Sequence, residues 1–323
     1  MRYSPVVHRV IAFAVCLITA VGAFAFDLEG HRGARGLAPE NTLAAFRRAL
    51  TIGVTTIETD LAVTRDDILV ISHDPFLNPD LVRDAEGRWL SERGPAIRSL
   101  TLVELKRFDI GRINPASRYA AQFPSQQSSD GERFPTLREL FDLVKAQPKP
   151  VRLNIETKLT PNDPQLTVDA VTFARLVVDA IHAAQLSDRV TVQSFDWRTL
   201  VEVKKRDPSI ATACLTIETE NNDNVRPIGD DPSPWTAGLD LRRYGSLPTL
   251  VKAAGCAIWS PLWRNATHER INEAHALRLK VLPWTVNDAA DMARLIDANV
   301  DGIITDYPDR LRAVMIEKKL ASP

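Results

Sequence analysis

Residues two apart on a β-strand point to one side, so Glu58 and Asp60 in Thr56-Ile57-Glu58-Thr59-Asp60 present two carboxylates on one face of a β-branched run. Glu156 and Lys158 in Asn154-Ile155-Glu156-Thr157-Lys158 repeat that spacing. Where two such strands converge, three carboxylates crowd together, and their mutual repulsion calls for a cation. Hard oxygen ligands of this kind suit Mg²⁺ or Ca²⁺ rather than zinc. The competing reading is a set of solvated strand ends paired with nearby lysines and arginines.

Of the six histidines, only His31 and His73 fall at strand ends. His31 opens His31-Arg32-Gly33, where Arg32 can fork onto phosphate oxygens and Gly33 lets backbone approach a ligand. His73 closes a second run as His73-Asp74-Pro75. Two imidazoles beside one metal form an acid and base pair for moving protons to and from oxygens at neutral pH. His182, His268 and His275 lie in helical patterns and read as surface or packing residues.

The elements that must position these groups recur along the chain. Strand-like runs are Leu28 to His31, Thr56 to Leu61, Ile68 to His73, Val151 to Thr157, Val190 to Phe195, Ile210 to Thr216, Ala257 to Pro261, Lys280 to Val286 and Gly302 to Asp306. The link Thr64-Arg65-Asp66-Asp67 is too short for a parallel crossover, so Ile68 to His73 folds back on the second run as a hairpin arm. Eight strands remain. Amphipathic stretches separate them: Asn41 to Ile52, Leu137 to Lys145, Asp169 to Ala184, Arg198 to Lys205, His268 to Leu277 and Ala289 to Ala298. In the first, Asn41 is the expected cap and Gly53 stands just past the end. This alternation predicts an α/β fold, a (β/α)8 TIM barrel. Two stretches break the rhythm, Pro75 to Pro135 after the hairpin and Glu218 to Pro248 after barrel strand five, and both belong to the rim where barrel sites are built, as a lid or pocket walls.

The 323 residues are 45% hydrophobic and 25% charged, with 40 Lys+Arg against 41 Asp+Glu. That composition excludes a disordered, collagen-like or multi-span membrane protein. Near-neutral charge supplies no broad basic field, so nucleic acid is not the expected partner and an anionic small molecule must be gripped by a few local cations. Arg2, His8 and Arg9 precede an uncharged apolar run from Val10 to Phe24, and Ala23-Phe24-Ala25 has the form of a signal-peptidase site. Residues 1–25 are therefore expected to be a signal peptide, leaving one domain, 26–323, exported to the periplasm or secreted, with no membrane span after cleavage. Cys214 and Cys256 remain beyond that point and are read as two buried small hydrophobes in preference to a bridge.

His31-Arg32-Gly33, Pro39-Glu40-Asn41-Thr42, Ile57-Glu58-Thr59-Asp60, His73-Asp74, Phe134-Pro135-Thr136-Leu137, Asn154-Ile155-Glu156-Thr157-Lys158, Gln193-Ser194-Phe195, Trp284-Thr285-Val286-Asn287 and Asp301-Gly302-Ile303-Ile304-Thr305-Asp306 occur in order. Together they resemble the glycerophosphodiester phosphodiesterase family, from about residue 28 to 312. The resemblance implies a metal-dependent TIM-barrel hydrolase that cuts deacylated phospholipid headgroups into sn-glycerol 3-phosphate and an alcohol, with one divalent cation, Mg²⁺ or Ca²⁺, and Mn²⁺ as a third candidate. It implies that Glu58, Asp60 and Glu156 hold the metal and that His31 and His73 are the acid and base. It further implies that Arg32 and Lys158 contact phosphate, while Gln193 and Trp284 line the pocket. In the family a substrate hydroxyl attacks phosphorus to give a cyclic phosphate, which water opens. Many members follow His73-Asp74 with a Leu- and Thr-rich stretch, whereas Pro75-Phe76-Leu77-Asn78-Pro79-Asp80 stands here, at the border of the pocket.

Two other readings compete. A sphingomyelinase D-like or lysophospholipase D-like enzyme would share the barrel and act on intact lipid, with Trp89, Trp235, Trp259 and Trp263 as candidate interfacial anchors. An exported binding protein for a phosphorylated polyol would need the cations but no proton shuttle.

Overall fold

In the computed structural model, residues 26–320 are described, so the expected signal peptide lies outside the described residues. Nine strands follow one another: β1 (Asp27–Gly30), β2 (Thr56–Val63), β3 (Leu69–Ile71), β4 (Arg152–Thr157), β5 (Val190–Ser194), β6 (Ala211–Thr216), β7 (Ile258–Pro261), β8 (Lys280–Val281) and β9 (Gly302–Thr305). Eight run parallel in the order β8-β7-β6-β5-β4-β2-β1-β9, and helices fill the crossovers, giving the (β/α)8 barrel. β3 pairs antiparallel with β2, Ala62 opposite Val70, as the short link between them demands.

Alternation along β2 explains why a wholly buried strand carries acids. Ile57 and Leu61 pack outward into the same apolar cluster as Phe46, Leu140 and Phe141 of the surrounding helices, while Glu58 and Asp60 take the other face. Both faces of a parallel barrel strand are covered, so none of its residues sees bulk water. The helices start where side chains satisfy their free N–H groups. Thr136 and Glu139 form a capping box on Leu137–Lys145, and Asp169 caps Ala170–Ala184. The cap of Leu43–Ile52 is Thr42, not Asn41. Asn41 instead stands at φ 57° and spends its side chain on Thr59 and Asp60.

β8 is shorter than the expected run to Val286. Pro283 has no N–H to donate, so regular pairing stops before it. The barrel closes there by single backbone bonds: Asp301 N to Val281 O, Ile304 N to Pro283 O and Val286 N to Ile304 O, each 3.0 Å.

The excursion from Pro75 to Pro135 has a small core of its own, in which Leu77, Val82, Ile97, Leu105 and Phe134 pack against Val70 of the hairpin arm. Arg83 staples it by ion pairs to Asp109 at 2.7 Å and Asp130 at 2.6 Å. The second excursion is pinned to the barrel by Asn224, whose amide donates to Leu215 O at 3.1 Å and whose Oδ1 accepts from Ile217 N at 2.9 Å. Trp259 is fully buried and is no interfacial anchor. Among the described residues, no helix is long and apolar enough to cross a membrane.

The cysteines correct the sequence reading. Cys214 and Cys256 are buried but joined, their Cα atoms 5.9 Å apart across a sequence separation of 42. Spacing gave no hint, because the parallel register of β6 beside β7 brings them together. Closing a loop of that length removes denatured-state freedom worth about 2–4 kcal/mol. Replacing both residues with serine is expected to lower unfolding stability by that amount, measured by urea denaturation against the oxidised protein; no difference in midpoint would show that the loop is ordered without the bridge.

Candidate active site

The turn after β1 brings backbone into the barrel mouth. Arg32 adopts φ 49° and Gly33 φ 87°, and a Cβ on Gly33 would stand 2.7 Å from the carbonyl carbon of Ala45. A left-handed arginine is costly and needs contacts that fix it. Arg32 N donates to Glu58 Oε2 at 2.9 Å, and Arg32 O accepts from Asn41 N at 3.1 Å. The main chain of the turn thus touches the first of the three acids.

Glu58, Asp60 and Glu156 do come together. One oxygen from each lies within 4.8 Å of the others, and all three residues are buried. Burial and the neighbouring Asp60 hold the Glu58 carboxyl well above the usual range. Burial likewise pushes Glu156 up to about 7, Asp60 adding to the shift and Lys158 opposing it. For Asp60, burial would raise the value, but Arg32, His73 and Lys158 outweigh it and keep the group ionised. Carboxyls that must take up protons to coexist fit a divalent cation, and this cluster is where one would bind.

Other side chains hold the acids in place. Gln193 Nε2 donates to Glu58 Oε1 at 2.8 Å, and its own oxygen accepts from Asn154 Nδ2 at 3.1 Å. The same Asn154 nitrogen donates to Glu29 Oε2 at 2.9 Å, deeper in the barrel. Asn41 Nδ2 reaches Asp60 Oδ2 at 2.9 Å. Lys158 Nζ lies 2.8 Å from Glu156 Oε1 and 3.7 Å from Asp60 Oδ1. Arg32 spans Asp60 at 3.2 Å and Glu40 at 2.5 Å.

Both histidines line the same cleft as Arg32, Glu58, Glu156 and Lys158, a space of about 540 Å³ whose far wall carries Phe195 and Trp284. Those two rings meet edge to face at 5.3 Å, and the Trp284 indole N–H is already given to Ser260 O. His31 Nδ1 lies 2.6 Å from Asp306 Oδ1, and its Nε2 is 3.8 Å from Glu58 Oε2. Burial and Arg35 lower His31 to about 4 against the pull of Asp306, so the ring is neutral at pH 7. His73 Nδ1 pairs with Asp74 at 3.0 Å. Burial, Arg32 and Lys158 lower its affinity for protons too.

Every site residue expected from sequence therefore meets at one barrel mouth, though Gln193 grips an acid rather than standing free in the pocket. Sequence reasoning missed an outer ring. Asp306, at the end of β9, is held by Arg35 through two bonds, at 2.8 and 2.9 Å, as well as by His31. Glu40 accepts from Arg32 and from the Tyr119 hydroxyl, and Tyr119 also accepts from Arg35 at 3.3 Å. Asp306 and Glu40 stood inside quoted motifs, and the end of the last barrel strand was a usable signal. Tyr119 comes from the long excursion and had none.

The model of the glycerophosphoryl diester phosphodiesterase family matches residues 31–310. The glycerophosphodiester phosphodiesterase of Caldanaerobacter subterraneus subsp. tengcongensis is 30% identical over 289 residues, which cover 87% of this chain and 94% of that protein. A solved structure from Silicibacter pomeroyi DSS-3 superposes with a TM-score of 0.82 at 32% identity, covering 93% of this chain and 96% of that one. An Oleispira antarctica phosphodiesterase, solved in complex with the product sn-glycerol-3-phosphate, shares the fold with a TM-score of 0.65 at 23% identity, covering 91% of this chain and 98% of that one.

Since Glu58 and Glu156 bind protons more tightly than free carboxyls do, a cation entering the cluster must displace them. Calorimetric titration with Mg²⁺, Ca²⁺ or Mn²⁺ in buffers of different ionisation enthalpy is expected to show proton release near pH 7, and affinity should weaken from about pH 8 to about pH 6. Binding without proton release would mean that the acids are already ionised.

Proposed function

This chain belongs to the glycerophosphoryl diester phosphodiesterase family, and from that premise we propose how the groups in its cleft divide the work. It is an enzyme that hydrolyses glycerophosphodiesters to sn-glycerol 3-phosphate and an alcohol. The observation that carries our reading is the pair of imidazoles, each with Nδ1 held by a carboxylate, in one cleft with Arg32, Arg35 and Lys158 and beside a cluster of three buried acids.

Asp306 accepts the Nδ1 proton of His31, which leaves Nε2 as the free, neutral acceptor. That nitrogen takes the proton of the attacking glycerol hydroxyl. His73 gives its proton to the alkoxide that leaves, and its lowered pKa makes its imidazolium the stronger acid. In the second step water opens the cyclic phosphate, the proton it loses returns to His73, and His31 hands its own back to the glycerol oxygen. Arg32 and Lys158 offset the charge that grows on the phosphoryl oxygens. Glu58, Asp60 and Glu156 would hold one divalent cation, Mg²⁺ or Ca²⁺ by the hardness of the ligand set, and when bound it polarises a phosphoryl oxygen and acidifies the attacking hydroxyl. The Trp284 and Phe195 rings shape the wall around the reacting groups.

We also place the enzyme outside the cytoplasm. The leader-like stretch from Arg2 to Ala25 supports this, and so does the Cys214–Cys256 bridge, because disulfides persist in oxidising compartments.

Purified protein is expected to release glycerol 3-phosphate from glycerophosphocholine in the presence of a divalent ion and to stop in EDTA. His31→Ala and His73→Ala should each lower kcat by about 100-fold or more. Absence of turnover with several glycerophosphodiesters in Mg²⁺, Ca²⁺ and Mn²⁺ overturns the reading, and a loss confined to KM would make the histidines binding groups.

A further inference from the structure

A second cleft of about 700 Å³ opens from the catalytic one, sharing His73, Glu156, Lys158 and Phe195 as common walls. Beyond them its lining turns apolar, with Leu159, Leu166, Ile217 and Trp235. These residues come from two separate segments, the stretch after β4 and the excursion after β6, and the second is fixed in place. Trp197 N donates to Trp235 O at 2.9 Å, and Ser233 Oγ donates to Asn224 O at 2.7 Å.

The polar groups of this cleft are largely spent. The Asn224 side chain is engaged by Ile217 N, Leu215 O and Phe195 O. Thr160 Oγ1 accepts from Asn162 N, and the Lys158 ammonium is held by Glu156 and Asp60. Thr167 Oγ1 is buried away from solvent, which leaves the exposed Asn222 amide and the Thr160 hydroxyl proton as the groups free to bond a ligand. A polyol carries more hydroxyls than these two groups can serve, so most would lose water here without replacement, which is unfavourable. A weakly hydrated, methyl-rich group loses little, and the Trp235 ring attracts it, the more so if it is cationic, whereas the Phe195 ring already has Lys158 Nζ 5.9 Å from its centre.

We propose that this cleft is the subsite for the leaving alcohol and that it selects a methyl-rich or alkyl alcohol over a polyol. The inference rests on the reaction assigned above, in which His73, common to both clefts, protonates the leaving oxygen. Trp235 and Leu166 determine specificity and take no part in the chemistry.

The test compares kcat/KM for glycerophosphocholine, glycerophosphobutanol and glycerophosphoinositol in wild type, Trp235→Ala, Leu166→Ser and Trp235→Phe. Wild type should favour the choline and butanol esters over the inositol ester by about tenfold or more, the scale at which apolar pockets discriminate. Trp235→Ala and Leu166→Ser should bring that ratio toward one while inositol-ester turnover stays within about threefold, and Trp235→Phe should keep most of the preference. A preference for choline alone assigns the selection to the aromatic faces, and for both esters to apolar contact; either supports the subsite. Free choline, as product, should inhibit Trp235→Ala more weakly than wild type. Equal ratios in wild type and variants, or a wild-type preference for inositol, overturn the subsite but leave the reaction standing. If no glycerophosphodiester is cut at all, the reaction assignment fails and the subsite falls with it.

Discussion

Three ionised carboxylates within 4.8 Å of one another repel by about 3.5 kcal/mol or more per pair even at an effective dielectric of about 20. Set against the roughly 5–15 kcal/mol that keeps a whole domain folded, that repulsion governs what surrounds it. Two of the acids respond by tightening their hold on protons. Around them the chain gathers donors: the Arg32 main chain, the Gln193 and Asn41 amides, and the Lys158 ammonium. A barrel suits this arrangement because its strand ends are fixed by neighbours on both sides, so the acids cannot relax apart. Their crowding favours a divalent cation, and the same rigidity keeps the histidines beside it.

Charge alternates outward from that cluster. Asp60 faces Arg32, Arg32 faces Glu40, the Tyr119 hydroxyl joins Glu40 to Arg35, and Arg35 faces Asp306, which returns to His31. No buried charge in the ring is left uncompensated, which is the condition under which burying it is tolerable. The ring also explains why a long excursion after the hairpin belongs to the enzyme rather than to its surface. Its apolar cluster fixes it on the hairpin arm, and its Tyr119 donates to Glu40, the partner of Arg32.

How much of this could be read from the sequence depended on the range of the interaction. Strand alternation is local, so Glu58 with Asp60 and the hairpin link were legible, and helix bounds such as Leu137–Lys145 followed from apolar spacing. The metal cluster needed one further assumption, that β2 and β4 are neighbours, and the repeat of the acidic spacing supplied it. Contacts that depend on register across many residues were not legible. Cys214 meets Cys256, and Tyr119 meets Glu40, only because of how crossovers and loops return. Asn41 misled for a different reason: a cap and a left-handed residue that braces an acid use the same side chain, and Thr42 beside it could cap equally well.

The two excursions divide their tasks by polarity. The first contributes the Tyr119 hydroxyl, which joins Glu40 to Arg35 in a charged network where replacing one member leaves another buried and unpaired. The second contributes Trp235, beside Ile217 just before that excursion, to a largely apolar wall in which the buried Asn224 amide is already satisfied by backbone. Contacts of the first kind are coupled, so change there disturbs the reacting groups themselves. Contacts of the second kind add area one residue at a time, so this rim can vary the alcohol that fits while the strand ends keep the same chemistry. The Pro75-Phe76 departure after His73-Asp74 sits where the two meet: Pro75 lines the apolar cleft, and Phe76 packs under Arg93 with the excursion. Sequence change at that junction therefore bears on the shape of the cleft, while Glu58, Asp60, Glu156 and Lys158 stay at the ends of barrel strands.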